Sequence, residues 1–218
     1  MAKTLFLCAV SLALMSRLTS ASPAGQATDL EGLLQNVEKK YSNLNDLRMD
    51  FKKEQKSEIF KRSEPVKGKI FLQQPDKYRL ESDQEIIVSD GEFMWIYAIE
   101  NNQVTKQNQK TGEGQNLLGF LKEIRSRYQA ESGLEEKLEG SVCQVIVLEP
   151  KEKGSDFEKL ILWVDGKNYL VRKMKVEDLQ GSTTIYRFSN IKLNSGLDEK
   201  VFKFTPPQRS EMIDLTEE

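Results

Sequence analysis

The sequence predicts a mainly β (α+β) fold: about ten or eleven antiparallel strands in sequential hairpins, with one helix before them and at least one among them. Three observations carry this. Short runs with apolar or aromatic residues at alternate positions recur from Asp46 to Phe204, the period of a strand that buries one face. Turn pairs such as Asp90-Gly91, Asp165-Gly166 and Gln180-Gly181 separate those runs. Two stretches, 30–41 and 117–128, change to helical spacing. Such a meander either closes as a barrel or curls into a half-barrel with helices across its open side.

The first residues stand apart from this pattern. A basic start at Lys3, an apolar run over 5–15 and the small residues Ser20-Ala21-Ser22-Pro23-Ala24 form a signal peptide, with cleavage after Ala21 or as late as Ala24. The run covers roughly half of the ~20 residues that a membrane span needs. An exported protein is therefore expected, with one domain over 28–218. Loss of Lys3 and Arg17 with the leader shifts the formal charge from −2 to about −4. Interspersed charges of that kind leave no footprint for nucleic acid. After cleavage Cys143 is the one remaining thiol, so no intramolecular disulfide is available. Its alternation with Val145 and Val147 marks it as buried and inert.

Thr28-Asp29-Leu30-Glu31 has the form of a capping box, and Leu30, Leu33, Leu34, Val37 and Tyr41 then recur at helical spacing to about Asn43. From Asp46 the period becomes two, with Met49, Phe51 and Lys53 on one side and Arg48, Asp50, Lys52 and Glu54 on the other. A polar connection leads to strands at 68–73, 78–82, 85–89 and 92–98, the last two joined at Asp90-Gly91 as a two-residue hairpin. Phe93, Trp95 and Tyr97 share one face of that last strand and Met94 and Ile96 the other, so something must cover each side. A strand at 104–107 and a Gly-rich linker at 110–115 follow. Leu117, Leu118, Leu121, Ile124 and Tyr128, with Phe120 beside them, then read as a second amphipathic helix. Strands resume at 142–149, 160–164, 169–177 and 183–193. The last is expected at 201–205, stopped by Pro206-Pro207 and followed by a polar tail.

Most catalytic chemistry is missing. With no histidine, His-based triads and most zinc or copper sites are excluded. Neither a GxxxxGK[ST] loop nor a strand-linked GxGxxG is present, so no nucleotide cofactor is indicated. Adjacent carboxylates such as Glu135-Glu136 and Asp198-Glu199 read as solvated faces rather than acid/base pairs. What remains is apolar surface, and two readings fit its spacing. Either the aromatic strands and the middle helix form an ordinary closed core, or the helix is a lid over a face that receives an apolar ligand.

From Gly68 to Tyr97 the residue order is familiar: Gly68-Lys69-Ile70, Pro75-Asp76-Lys77-Tyr78-Arg79-Leu80, Val88-Ser89-Asp90-Gly91 and Trp95-Ile96-Tyr97. Phe188-Ser189-Asn190 and Phe202-Lys203-Phe204-Thr205-Pro206-Pro207 continue it. The chain resembles the outer-membrane lipoprotein carrier family (LolA). The resemblance implies an incomplete antiparallel β-barrel with an N-terminal helix and a helical lid covering its concave apolar face. It implies no enzyme and no cofactor, but a monomeric periplasmic chaperone that binds the acyl chains of lipoproteins. Its partners would be an inner-membrane ABC lipoprotein transporter and an outer-membrane acceptor lipoprotein. Carried over by position, Phe51, Tyr78, Leu80, Trp95, Tyr97, Leu117, Leu118 and Phe120 would line the lipid site. Gln74 would be the lid contact, at a position where relatives carry an Arg; a neutral amide lacks that charge assistance, so Gln74→Arg is expected to tighten the lid. The alternative is an envelope lipid- or lipoprotein-sensing scaffold on the same half-barrel.

Overall fold

In the computed structural model, residues 29–56, 65–109, 119–155 and 157–216 are described. The expected signal peptide, Leu117 and Leu118 lie outside them. One helix of length, α1 (Leu30–Ser42), precedes thirteen strands: β1 (Asp46–Lys56), β2 (Val66–Gln73), β3 (Lys77–Ser82), β4 (Glu85–Ser89), β5 (Phe93–Ala98), β6 (Gln103–Asn108), β7 (Tyr128–Ser132), β8 (Glu136–Leu138), β9 (Ser141–Pro150), β10 (Phe157–Asp165), β11 (Val171–Asp178), β12 (Thr183–Leu193) and β13 (Glu211–Asp214). Between β6 and β7 lie a 3-10 turn, Gly119–Lys122, and a single helical turn, α2 (Ile124–Arg127).

All the strands belong to one open sheet, ordered β13-β6-β5-β4-β3-β2-β1-β12-β11-β10-β9-β7, with β8 also paired to β9. The sheet does not close, which selects the half-barrel over the barrel. Its centre is the pair β1 and β12, aligned so that Phe51 faces Phe188 and Leu47 faces Leu193. Apart from this pair and the parallel β13–β6 contact, neighbours in the first half follow chain order as hairpins.

α1 fills the concave side. Asp29, rather than the Thr28 of the expected capping box, caps it: its Oδ1 accepts the Gly32 N–H at 3.0 Å. Leu33, Leu34, Val37 and Tyr41 form its buried stripe. They pack with Met49, Phe51 and Ile70 from the first half of the sheet and with Ile146, Leu162, Met174 and Phe188 from the second. The Val171 N–H donates to the Tyr41 hydroxyl at 3.1 Å, which pins the helix to β11. Burial pushes the Tyr41 phenol up to about 12, against the opposing effect of that hydrogen bond.

Four sequence expectations change. The stretch 117–128 is not one amphipathic helix in its described part: α2 ends at Arg127, and Tyr128 turns extended (φ −123°, ψ 145°) to begin β7. The cause is tertiary. Tyr128 is held between Phe120 and Phe157, with ring centroids 5.8 and 6.2 Å away, and pairs with Pro150 of β9. Packing therefore overrides helical spacing. The expected strand at 201–205 is instead a 3-10 turn, Glu199–Phe202, capped by Asp198. The tail expected to be only polar contains β13, parallel to β6. Finally, the β4–β5 connection is longer than a two-residue hairpin, because Ser89 pairs with Met94 and the Asp90 carboxylate accepts the Glu92 and Phe93 N–H groups at 2.9 Å.

The segment from Asp198 to Pro207 covers the outer face of β3–β5. Phe202 is 1% exposed, Phe204 stacks on Trp95 at 6.1 Å, the Arg79 guanidinium donates to the Val201 carbonyl at 3.3 Å, and Lys77 pairs with Glu199 at 3.1 Å. This answers why both faces of β5 are apolar. One looks into the half-barrel, and the other lies under the C-terminal strap. Asp46 holds the start of that strap. Its Oδ1 accepts the Ser195 N–H and hydroxyl at 2.8 and 2.9 Å, and its Oδ2 accepts the Gly196 N–H at 2.8 Å.

Candidate functional site

Cross-strand register decides which side chains share the concave lining. Phe51 opposes Gly68, Ile70 opposes Leu80, and Leu72 opposes Tyr78. Tyr78 and Leu80 then face Ser89 and Ile87, which face Met94 and Ile96. Directly opposed residues lie on the same face of a sheet. The concave face of the first half therefore carries Phe51, Ile70, Leu72, Tyr78, Leu80, Ile87, Met94 and Ile96. From the second half come Phe188, opposite Phe51, and Tyr186, whose ring lies 6.3 Å from that of Phe51.

The same register corrects part of the expected lining. Trp95 opposes Val88 and Tyr97 opposes Ile86, so both are on the outer face, away from Tyr78 and Leu80. Trp95 lies between Phe93 and Phe204, and the Tyr97 hydroxyl donates to Asn102 Oδ1 at 3.1 Å. Ile87, Ile96 and Tyr186 take their place on the concave side. Counting could have found two of these. An even number of residues separates opposed positions in both the β3–β4 and β4–β5 hairpins, so Tyr78 falls in step with Met94 and Ile96 rather than with Trp95. Tyr186 had no such local signal, since it arrives through the β1–β12 pairing.

The lining is graded. Phe51 and Tyr78 are 4% and 3% exposed, whereas Leu72, Leu80, Ile87 and Ile96 are only half-buried and form a strip across β2–β5 that α1 does not fully cover. The Tyr78 hydroxyl points to Met94 Sδ at 3.6 Å. Burial raises its phenol well above the ordinary range, with the Glu85 carboxylate adding to the effect. Tyr186 is pushed up to about 12 by the same two causes in the same order. Both phenols are thus neutral across the physiological range, which suits an apolar surface. Among the described residues no group of three or more His, Cys, Asp or Glu is placed to hold a metal.

Over this face sits the segment 119–127. Leu121 and Ile124 are fully buried beneath it, and half-buried Phe120 packs edge-on to Tyr128. Polar contacts fasten the segment. Arg125 donates from its backbone N–H and Nε to Glu38, both at 2.7 Å, and from Nη1 to Glu31 at 2.8 Å, tying α2 to α1. Lys122 Nζ donates to Gln74 Oε1 at 2.7 Å, beside a cavity of about 30 Å³ bounded by Tyr41, Gln73, Gln74 and Gly119.

The Lys122 contact reverses the sign of the expectation for Gln74. The cation is on the covering segment and the acceptor on the β2–β3 turn, so Gln74→Arg sets two cations face to face, while Gln74→Glu makes the hydrogen bond charge-assisted at both ends. Amide exchange at Leu121 is expected to be several-fold faster than in the parent protein for Gln74→Arg and slower for Gln74→Glu, on the ~1 kcal/mol scale of such a bond. Equal exchange in the two variants would remove this contact from any role in closure.

Comparison with known proteins follows the same boundaries. The model of the family described as "Outer membrane lipoprotein carrier protein LolA" matches residues 42–205, from the end of α1 through β12 and into the strap. The chain belongs to that family. An outer-membrane lipoprotein carrier protein of Dechloromonas aromatica is 30% identical over 177 residues, covering 78% of this chain and 82% of its own length. An uncharacterized protein of Methanocaldococcus jannaschii, MJ0687, is 26% identical over 193 residues, and the match spans 86% of this chain but 55% of that longer protein. The fold is similar to that of an uncharacterized conserved protein from Thermus thermophilus, with a TM-score of 0.56, 12% identity and coverage of 84% of this chain and 98% of that one.

The contact of the covering segment with the β2–β3 turn is a lysine–amide pair, with the charge on the covering side.

Proposed function

We propose that the protein is a periplasmic carrier that holds the acyl chains of lipoproteins against its concave face and shuttles them across the envelope. In this reading it works as a monomer after removal of residues 1–21. It is loaded by an inner-membrane ABC transporter and unloads to an acceptor lipoprotein at the outer membrane. The supporting observation is the half-buried strip Leu72, Leu80, Ile87 and Ile96, continuous across four strands on the face that carries Phe51, Tyr78 and Phe188. Phe120, and in this proposal Leu117 and Leu118, come from the covering segment. Gln74 and Lys122 fasten it.

The physical case rests on solvation. At ~0.8 kcal/mol per CH₂, one acyl chain of roughly 16 carbons gains about 12 kcal/mol on leaving water, so an apolar groove is sufficient for capture. Release then needs a competing apolar site or external work. The sequence has no nucleotide-binding loop, and in this reading that work falls to the transporter.

The test is recovery of lipoprotein with the protein from envelope extracts. Ile87→Asp, which puts a charge in the concave strip, is expected to reduce the recovered lipoprotein at least tenfold. Tyr97→Ala, on the outer face, is expected to leave it unchanged. Undiminished recovery with Ile87→Asp, or loss confined to Tyr97→Ala, overturns the concave-face reading.

A further inference from the structure

The outer face of the second half of the sheet carries a groove of about 480 Å³ that the concave site does not explain. That volume lies within the range of small-molecule sites, ~300–1,000 Å³. The outer face of an antiparallel half-barrel is ordinarily polar. Here two cross-strand rows begin apolar on β9 and turn cationic on β11. Val145 opposes Trp163, which opposes Lys173; Val147 opposes Ile161, which opposes Lys175. Each row therefore changes from hydrocarbon on β9 and β10 to ammonium on β11 over about 10 Å, two strand spacings. Ile185 closes the second row on β12.

Local contacts fix this gradient. The Trp163 indole N–H donates to Glu136 Oε2 at 2.7 Å, which holds the ring flat along the groove and walls one side with β8. Lys173 Nζ stands 3.5 Å over the Trp163 ring centroid and makes no ion pair among the described residues, though the Glu136 carboxylate in the same lining acts on it through space. Burial lowers the Lys173 ammonium from its ordinary range, the cost of holding a cation above an apolar floor. Lys175 pairs with Glu177 at 2.5 Å, and Lys56 adds a third ammonium at the rim.

We propose that this groove is a second binding site, distinct from the concave face, for a single-chain anionic amphiphile. Its tail lies over Val145, Val147 and Ile161, beside the Trp163 ring that Lys173 covers, and its head group meets Lys173 and Lys175. Charge favours such a molecule: three lysines face one carboxylate, Glu136, in the lining, and Lys173 and Lys175 stand together on β11 beside the apolar Val145, Val147 and Ile161. Burying the tail offsets the partial dehydration that Lys173 already bears, and the head brings an anion to a lysine that makes no ion pair among the described residues.

The test uses the mature protein in a Trp95→Phe background, so that Trp163 is the sole tryptophan, titrated with dodecyl phosphate below its micelle concentration. Trp163 emission is expected to shift saturably. Lys173→Gln/Lys175→Gln is expected to weaken binding at least tenfold with the thermal midpoint little changed. Ile87→Asp, on the concave face, is expected to leave the response intact, and dodecyltrimethylammonium to produce none. Emission unmoved by dodecyl phosphate, equal binding of the cationic probe, or unchanged affinity in the double lysine variant would overturn the proposal. A response abolished by Ile87→Asp alone would assign the binding to the concave face and also overturn it.

Discussion

Asp46→Asn is expected to destabilise the protein by about 3 kcal/mol at pH 7. The Asp46 carboxylate is 6% exposed and accepts three hydrogen bonds from Ser195 and Gly196. A bond to a charged group contributes ~1.5–3 kcal/mol, and an amide in its place turns an N–H₂ toward donors that then lose their acceptor. Burial by itself would raise the Asp46 carboxyl, but the hydrogen bonds outweigh it and hold the group below the usual carboxylate range. The sign for pH follows. A depressed folded-state pKa contributes stability that is fully present above the unfolded value of ~3.9 and is lost as the pH falls through the folded-state value. Urea unfolding should thus show a wide gap between parent and variant at pH 7 that narrows as the pH falls through the depressed folded-state value. A gap that stays constant with pH would mean that the carboxylate charge is not what anchors the strap.

The second large effect is at Gly68. A Cβ built there overlaps the Glu81 carbonyl oxygen and comes within 2.6 and 2.7 Å of two atoms of the Phe51 ring. The ring cannot retreat freely, because it is 4% exposed and packs with Tyr186 and Phe188. Gly68→Ala therefore forces either the β2–β3 ladder or the centre of the concave lining to move. The expected cost is about 2–3 kcal/mol, in the range of core overpacking, with a parallel loss of apolar-probe binding. A variant with unchanged midpoint and unchanged binding would show that the lining yields more easily than the packing indicates.

Strand positions were legible in the sequence because alternation and turn residues are local signals. Asp165-Gly166 and Gln180-Gly181 fall at hairpins, and Asn43 ends α1 as its spacing indicates. What failed was non-local. Tyr128 continues a helical stripe on paper, yet Phe120, Phe157 and β9 hold it extended. Phe202 and Phe204 have the alternation of a strand but serve as anchors of a strap, since the outer face of β3–β5 needs a cover and two prolines deny the segment a ladder. Phe51, Tyr78 and Leu80, brought forward by family order, share one face of the sheet. That order did not separate Trp95 and Tyr97 from them, because residue order carries no side. The groove around Trp163 was missed for a related reason: Val145, Ile161 and Lys173 read as ordinary strand residues until three strands are laid side by side.

The β1–β12 pairing at the centre of the sheet has a consequence in time. Asp50 and Asn190 are hydrogen-bonded at 2.6 Å yet stand 140 residues apart in the chain. Hairpins β2 to β6 can form as soon as they exist, but the strand that starts the sheet keeps one edge unpaired until almost the last long strand has been made. Contacts of such sequence separation are slow to close. A chain emerging end-first, from a ribosome or through a membrane pore, therefore stays short of its native core for most of its passage. Its commitment to the folded state arrives late and nearly all at once, with the strap and β13 following immediately behind.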